Sequence, residues 1–265
     1  MVALIVLVTV GLSVAMAGAW VVQRVTRNAG WVDVVWTFAT GAAGVAYALA
    51  VRPDGPGLRQ VVLAGLIAAW SLRLGLHILG RTHGRPEDTR YANFRVEWGA
   101  GFERRMFWFL QIQAVAAAFL AVSMLLAAAN PRMGLGPGGV AGVVVLVIAV
   151  IGEGVADAQL RRFRADPANH GRVCDTGLWG WSRHPNYFFE WAAWLAYPLF
   201  AIDLGGGYAW GWLALSAPAF MYWLLVHVSG IPPLEQQMLR SRGDAFRAYQ
   251  ARVSPFIPLP PRRAT

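Results

Sequence analysis

The sequence contains no lysine and few charged residues of any kind. Charged residues make up 14% of the 265 positions, and arginine supplies all 23 basic side chains. A soluble domain carries about 25% charged residues, whereas the mean hydropathy here is +0.44. Composition therefore excludes an ordinary soluble domain and predicts an all-α protein that crosses a membrane several times.

Cysteine is nearly absent, because Cys174 is the only one in the sequence. One cysteine can form neither an internal disulfide bond nor a cysteine metal cluster, so we expect no metal site. The motifs His-Glu-x-x-His, Walker A, Gly-x-Ser-x-Gly and Gly-x-Gly-x-x-Gly are missing as well. A nucleotide site in this chain would therefore not be a Rossmann fold.

Long apolar runs take the place of the missing charge. Seven of them approach the roughly 20 residues that a bilayer requires, and they cover residues 2–22, 31–51, 59–80, 106–129, 138–159, 186–203 and 207–229. We predict one seven-helix membrane domain over residues 1–265, with a cytoplasmic C-terminal helix and tail at 230–265. The first run has no basic n-region, so we interpret it as an uncleaved membrane helix.

The arginines are concentrated in alternate loops. Only Arg52, Arg59 and Arg132 lie in the loops after the second, fourth and sixth spans, and Arg73 lies within the third span. All others lie in the remaining loops and the tail. The positive-inside rule then predicts an outer N-terminus and a cytoplasmic C-terminus in a bacterial inner membrane. Because topology accounts for the net charge of +9, we expect no nucleic-acid partner.

The second span begins with a carboxylate, Asp33. A carboxylate at membrane depth is costly and is a functional candidate by default, so we predict a catalytic proton donor. The alternative is a first-turn residue that interacts with the helix dipole or with Arg27. Trp36 lies one turn further on the same face, where it lines a substrate pocket or anchors the helix at the interface.

The third span carries Arg73 and His77 four residues apart, and Arg81 continues that face. Such a polar stripe usually faces a cavity or a partner carboxylate, so we predict that His77 contacts substrate. The alternative for His77 is a satisfied core histidine. Arg81 is predicted to meet a cofactor phosphate.

Polar residues follow in the next loop and span. The loop contains Arg90, predicted to bind phosphate, and Tyr91, predicted to donate a proton; alternatively it is a solvated amphipathic loop. Gln111 and Gln113 lie at hydrocarbon depth. We predict that Gln111 hydrogen-bonds a substrate, unless these amides join two helices.

The fifth span ends in Glu153, Asp157, Arg161 and Arg164, the first three at successive four-residue spacing. Carboxylates followed by arginines on one stripe suit the ribose hydroxyls and phosphates of a nucleotide. The alternative is intrahelical ion pairing.

The stretch 177–190, GLWGWSRHPNYFFE, places many polar groups beside an apolar helix. We predict a cofactor site there, formed by Arg183, His184, Asn186, Tyr187 and Glu190. Asn186 and Glu190 share one helix face and can hydrogen-bond a carboxamide or an adenine edge.

The polar tail contains Glu235 and Arg242, and it is predicted to close over the cofactor. The alternative is an interfacial helix that is attracted to anionic lipid.

These motifs resemble those of the DUF1295 family of steroid 5-alpha-reductase-like membrane proteins. The resemblance covers almost the whole chain, and it rests on the stretches WVDVVW at 31–36, DTRY at 88–91, SRHPNYFFE at 182–190, GIPPLE at 230–235 and FIPLPP at 256–261. Isoprenylcysteine carboxyl methyltransferases and phospholipid methyltransferases look similar in the region around Arg183 and near Tyr249.

The resemblance implies a seven-helix fold with NADPH bound from the cytoplasmic side. The residues that hold the nicotinamide end in the reductases correspond to Asn186 and Glu190, and the nucleotide contacts of the fifth helix correspond to Asp157 and Arg164. A catalytic glutamate corresponds to Asp33. The position of the catalytic tyrosine falls at Ile78, so that Tyr91 is a nearby substitute.

The leading hypothesis is an NADPH-dependent reductase that acts on a C=C bond in a steroid-, isoprenoid- or lipid-like enone. The alternative is an S-adenosylmethionine-dependent methyltransferase for a lipid or lipidated substrate. A non-catalytic scaffold or transporter is a third reading. The sequence leaves the oligomeric state open.

Overall fold

Ten α-helices make up most of the chain in the computed structural model, which describes residues 1–262. No strand forms within these residues, and Ser182 and Ser254 form an isolated bridge. The helices are α1 (Val2–Thr26), α2 (Trp31–Ala50), α3 (Leu58–Thr82), α4 (Thr89–Trp98), α5 (Phe102–Ala129), α6 (Gly136–Ala165), α7 (Pro185–Ala201), α8 (Ser216–Trp223), α9 (Ile231–Arg242) and α10 (Asp244–Arg252).

Six helical segments within the described residues are long and apolar enough to cross a membrane. They are α1, α2, α3, the α4–α5 segment Thr89–Ala129, α6, and the segment Ala209–Arg242. This confirms the prediction of an all-α protein with several membrane-spanning helices. The predicted count of seven is not confirmed, because α7 has 17 residues and lies at the lower limit for a span.

The predicted seventh span, 207–229, is not one regular helix. It consists of a 3-10 segment at Ala209–Leu215, then α8, then a π-helical turn at Leu224–Val228. The Ser229 N–H donates to the Leu224 carbonyl over five residues, at 2.8 Å. Pro218 has no N–H to donate within α8, which weakens the regular helical ladder there.

The described chain forms two compact units, and the single membrane domain inferred from the sequence stays a prediction. The first unit comprises Met1–Ala141 and Tyr197–Ala217, and the second comprises Gly142–Ala196 and the chain from Pro218 onward. The core of the first unit lies among α1, α2, α3 and α5, and it includes Tyr47, Ile67 and Leu110.

Glycine lets α2 and α3 approach closely in the first unit. A Cβ atom on Gly41 would overlap the Ser71 side chain, and one on Gly44 would overlap Met124 and press on Ile67. The absence of a side chain at these two positions therefore fixes the distance between the two helices.

The end of α7 receives hydrogen bonds from elsewhere in the first unit. Arg59 donates to the Phe200 carbonyl at 2.7 Å and to the Leu135 carbonyl at 3.3 Å. The Asn130 amide donates to the carbonyls of Phe200 and Ala201 at 3.0 and 3.1 Å. These side chains satisfy carbonyls that a helix end leaves without a partner. The assignment of Arg59 to a loop was therefore wrong, since Arg59 is a buried residue of α3.

Candidate functional site

Four residues form an acid cluster in the first unit, namely Asp33, Asp88, Arg90 and Tyr91. The Tyr91 hydroxyl donates to Asp33 Oδ1 at 2.8 Å, and Arg90 Nη2 donates to Asp33 Oδ2 at 2.6 Å. Each oxygen of the Asp33 carboxylate thus has its own donor. The structure brings the two predicted proton donors into direct contact.

Helix α4 positions the acid cluster, although the sequence predicts a loop for this segment. Asp88 caps the helix by accepting from the Arg90 N–H at 2.9 Å, which is a preferred arrangement at a helix N-terminus. Burial alone would raise the pKa of Asp88, but the charge of Arg90, its backbone N–H and the charge of Arg81 together lower it.

Arg90 was predicted to bind phosphate, but its guanidinium forms ion pairs with two carboxylates. Besides Asp33, it contacts Asp88 Oδ1 from Nε at 3.4 Å and lies 5.1 Å from the centre of the Tyr91 ring. Arg90 therefore fixes the acid cluster, and Tyr91 beside it is buried.

The predicted substrate contacts of the first unit have different surroundings. Trp36 Nε1 donates to the Gln113 carbonyl at 3.3 Å, so this indole is tied to α5 near the acid cluster. Gln111 accepts from the Ser13 hydroxyl at 2.6 Å. The Gln111 amide thus joins α5 to α1, which matches the alternative of a helix–helix contact. His77 is a half-buried residue of α3.

In the second unit, the Glu235 carboxylate gathers several predicted residues into a motif cluster of Arg183, His184, Glu235 and Gln250. Arg183 Nε donates to Glu235 Oε1 at 2.7 Å and Nη2 to Oε2 at 3.3 Å. His184 Nε2 lies 2.9 Å from Oε1, and the Gln250 amide donates to Oε2 at 2.7 Å. Gln250 had no signal in the sequence, because only the folded tail brings it to Glu235.

The Arg183 guanidinium donates hydrogen bonds to several acceptors of the protein itself. Its Nη1 also donates to the carbonyls of Val253 and Gln250 at 2.7 and 3.2 Å. These bonds join the residue to the tail, and the cofactor contact of Arg183 stays a prediction.

His184 is buried and stacks on Tyr187, with ring centres 5.6 Å apart and planes 11° apart. Burial lowers the pKa of His184 more than the bond to Glu235 raises it. The imidazole is therefore neutral, and its proton lies on Nε2, which faces the carboxylate. Nδ1 is then an acceptor, and it has no hydrogen-bond partner within residues 1–262.

Helices α6 and α7 bring a second group of predicted residues together in the same unit. Asn186 Nδ2 lies 3.4 Å from Asp157 Oδ1, and Asp157 is buried. Glu190 is buried as well, and accepts from Trp194 Nε1 at 3.0 Å. The Asn186 amide and the Asp157 carboxylate, both predicted to contact a cofactor, are therefore close enough to interact directly.

The arginines of this unit differ in exposure. Arg161 and Arg164 are exposed at the end of α6, and their phosphate contacts stay a prediction. Arg242 is half-buried at the end of α9 and donates to the Ser241 carbonyl at 3.3 Å.

The tail binds back onto the segment before α7. The Arg183 N–H donates to the Ser254 carbonyl at 2.8 Å, the Ser182 hydroxyl to the Phe256 carbonyl at 2.7 Å, and the Tyr249 hydroxyl to the Trp179 carbonyl at 2.6 Å. The predicted polar helix of the tail is present as α9 and α10, and residues 253–262 follow as a non-helical segment.

Comparisons with known proteins identify the family of the chain. The chain is 26% identical to an uncharacterized protein of Schizosaccharomyces pombe over 90% of this chain and 75% of that protein. No solved structure matches the chain. Residues 19–253 match the family described as "protein of unknown function (DUF1295)", and this match includes both clusters. The chain belongs to the DUF1295 family.

Proposed function

We propose that the protein is a membrane-embedded, NADPH-dependent reductase of a C=C bond conjugated to a carbonyl in a lipophilic substrate. The observation that supports this function is the buried Tyr91 hydroxyl, which donates to the Asp33 carboxylate. Arg90 holds that carboxylate in place. Reduction of an enone adds a proton as well as a hydride. An acid built into an apolar environment supplies that proton where water is scarce.

The roles within the acid cluster follow from its hydrogen bonds. Arg90 pairs with one oxygen of the Asp33 carboxylate, and the other oxygen accepts from the Tyr91 hydroxyl and orients it. When its hydroxyl turns from Asp33 to a substrate carbonyl, Tyr91 delivers its proton there and is left as a phenolate beside Arg90. This assigns proton donation to Tyr91 and positioning to Asp33, whereas the sequence left the donor open between them.

The second unit fits a nicotinamide nucleotide by one property: the buried His184 Nδ1 is an acceptor with no partner in the part of the chain that the structure describes. A hydroxyl or amide of a ligand would satisfy it. Asn186 and Asp157 would hold a carboxamide, and the exposed Arg161 and Arg164 would bind phosphates. NADPH, when bound, supplies hydride.

A methyltransferase that uses S-adenosylmethionine is a second candidate. It is favoured by the engagement of Arg183, whose guanidinium already contacts one carboxylate and two carbonyls. S-adenosylmethionine has no phosphate, so it needs fewer free arginines than NADPH. The motif that contains His184 also resembles that of lipid methyltransferases.

Cofactor binding by the purified full chain in detergent separates the two functions. We expect saturable binding of NADPH that weakens by about tenfold or more in Arg164→Ala, because a charge-assisted contact is lost. Arg162→Ala is the matched control, since Arg162 is an exposed neighbour on the same helix outside the Asp157–Arg161 stripe. Binding of S-adenosylmethionine without any response to NADPH contradicts the reductase.

A further inference from the structure

A polar cavity in the first unit lies where α1 ends and α5 begins, and none of its lining residues belongs to the acid cluster. Its volume is about 480 Å³, and its lining consists of Gln23, Arg24, Arg27, Arg95 and Glu103. Three guanidinium groups thus face one carboxylate. None of these five residues has a role in the proposed reductase.

The cationic side chains exceed the anionic partners available to them. Arg24 Nε lies 3.6 Å from Glu103 Oε2. Arg95 donates to Glu87 at 2.9 Å, and its Nη1 lies 4.0 Å from Glu103 Oε1. Arg27 has no ion-pair or hydrogen-bond partner through its side chain among the residues that the structure describes. The cavity therefore presents at least one uncompensated positive charge to a ligand.

Gln23 adds an acceptor with no donor. Its side chain is fully buried, and its Nε2 donates to Glu103 Oε2 at 2.8 Å, which fixes the orientation of the amide. Oε1 is buried and has no hydrogen-bond partner within residues 1–262. A buried acceptor without a donor is unfavourable, so a ligand hydroxyl would gain by binding there.

The neighbourhood indicates a lipid. Val21 and Val25 lie on the last turns of α1 and are exposed, as expected for side chains that face acyl chains. The arginines follow at the end of this membrane-spanning helix, which is the level of the headgroups. A phosphodiester at that level can accept from guanidinium groups.

We propose that this cavity binds the headgroup of an anionic glycerophospholipid that carries a free hydroxyl. The phosphodiester is held by Arg27 and Arg24. A headgroup hydroxyl donates to Gln23 Oε1. This site is independent of the proposed reductase activity, because it uses none of the residues of the acid cluster or the motif cluster.

Native mass spectrometry of the full chain in neutral detergent tests the site with four probes: phosphatidylglycerol, phosphatidylmethanol, phosphatidylcholine and free glycerol 3-phosphate. Phosphatidylmethanol has the same charge as phosphatidylglycerol but no headgroup hydroxyl. We expect phosphatidylglycerol to bind about fivefold more tightly than phosphatidylmethanol, because one neutral hydrogen bond is lost. Phosphatidylcholine and glycerol 3-phosphate should bind far more weakly.

Two variants locate the site. Arg27→Asn should weaken phosphatidylglycerol by about tenfold, and asparagine tolerates the left-handed backbone of this residue (φ 53°). Arg104→Gln is the matched control, since this exposed arginine follows Glu103 but does not line the cavity. Equal losses in both variants, or equal binding of phosphatidylglycerol and phosphatidylmethanol, would overturn the proposal. Glycerol 3-phosphate binding as tightly as the lipid would show a soluble phosphate ligand instead.

Discussion

Replacement of Glu235 by alanine should destabilise the second unit strongly. The carboxylate receives two hydrogen bonds from Arg183 and one each from His184 and Gln250. The side chains of Arg183 and Glu235 are only 10% and 13% exposed, so water cannot replace the lost partner freely. The variant leaves a buried guanidinium without its counter-ion.

The structure also sets the size of the effect. Removal of one partner of a buried ion pair costs about 3–5 kcal/mol. Two carbonyls, those of Gln250 and Val253, still accept from Arg183 in the variant, which places the expected loss near the lower end, about 3 kcal/mol. For a chain of this length the melting temperature should fall by about 6–12 °C.

Thermal unfolding in detergent, followed by far-ultraviolet circular dichroism, measures the change. Asp175→Ala is the matched control, because Asp175 pairs with Arg252 in the same unit but both side chains are about two-fifths exposed; we expect a shift below about 2 °C. The double variant Arg183→Met with Glu235→Met should recover much of the lost stability, since neither position then holds a buried charge without its partner. A Glu235→Ala melting temperature equal to that of Asp175→Ala would refute the reasoning.

Two further predictions concern single side chains. Burial lowers the pKa of His184, so the unfolded chain gains a proton near pH 6.5 and the folded chain gains it only at lower pH. The melting temperature should therefore fall as the pH drops from about 7.5 to 5.5, and His184→Gln should flatten this dependence; an unchanged slope contradicts the assignment. Arg59→Met should cost about 2–3 kcal/mol in thermal unfolding, because the carbonyls of Phe200 and Leu135 lose a charged donor, and a shift under about 2 °C would contradict that role.

The apolar runs were sufficient to predict α1, α2, α3 and the membrane portions of α5 and α6, because hydropathy alone identifies a long span. Helix α4 was missed since it is short and its sequence is polar. The cap at Asp88 was its one local signal. The irregular 209–228 region was predicted as a single helix because its composition is apolar throughout.

The residues of the candidate site could be predicted better than their partners. Asp33, Tyr91, Asn186 and Asp157 were identified as polar groups in unusual positions. The pairing of Arg90 with Asp33 was not, because those residues lie 57 positions apart and spacing says nothing about contacts over that separation. The same holds for Glu235 and its donors, which depend on how the tail folds.

The tail folds back onto the segment before α7, and this affects how the protein can be prepared for study. A shortened chain that ends before Ser254 would lose the carbonyls that accept from the Arg183 N–H and the Ser182 hydroxyl. It would also lose the Phe256 ring, which contacts Phe188 and Trp191. Removal of the proline-rich end to improve expression would therefore alter the segment that carries His184. If such a shortened chain bound no ligand, the cause would be the removal of this end.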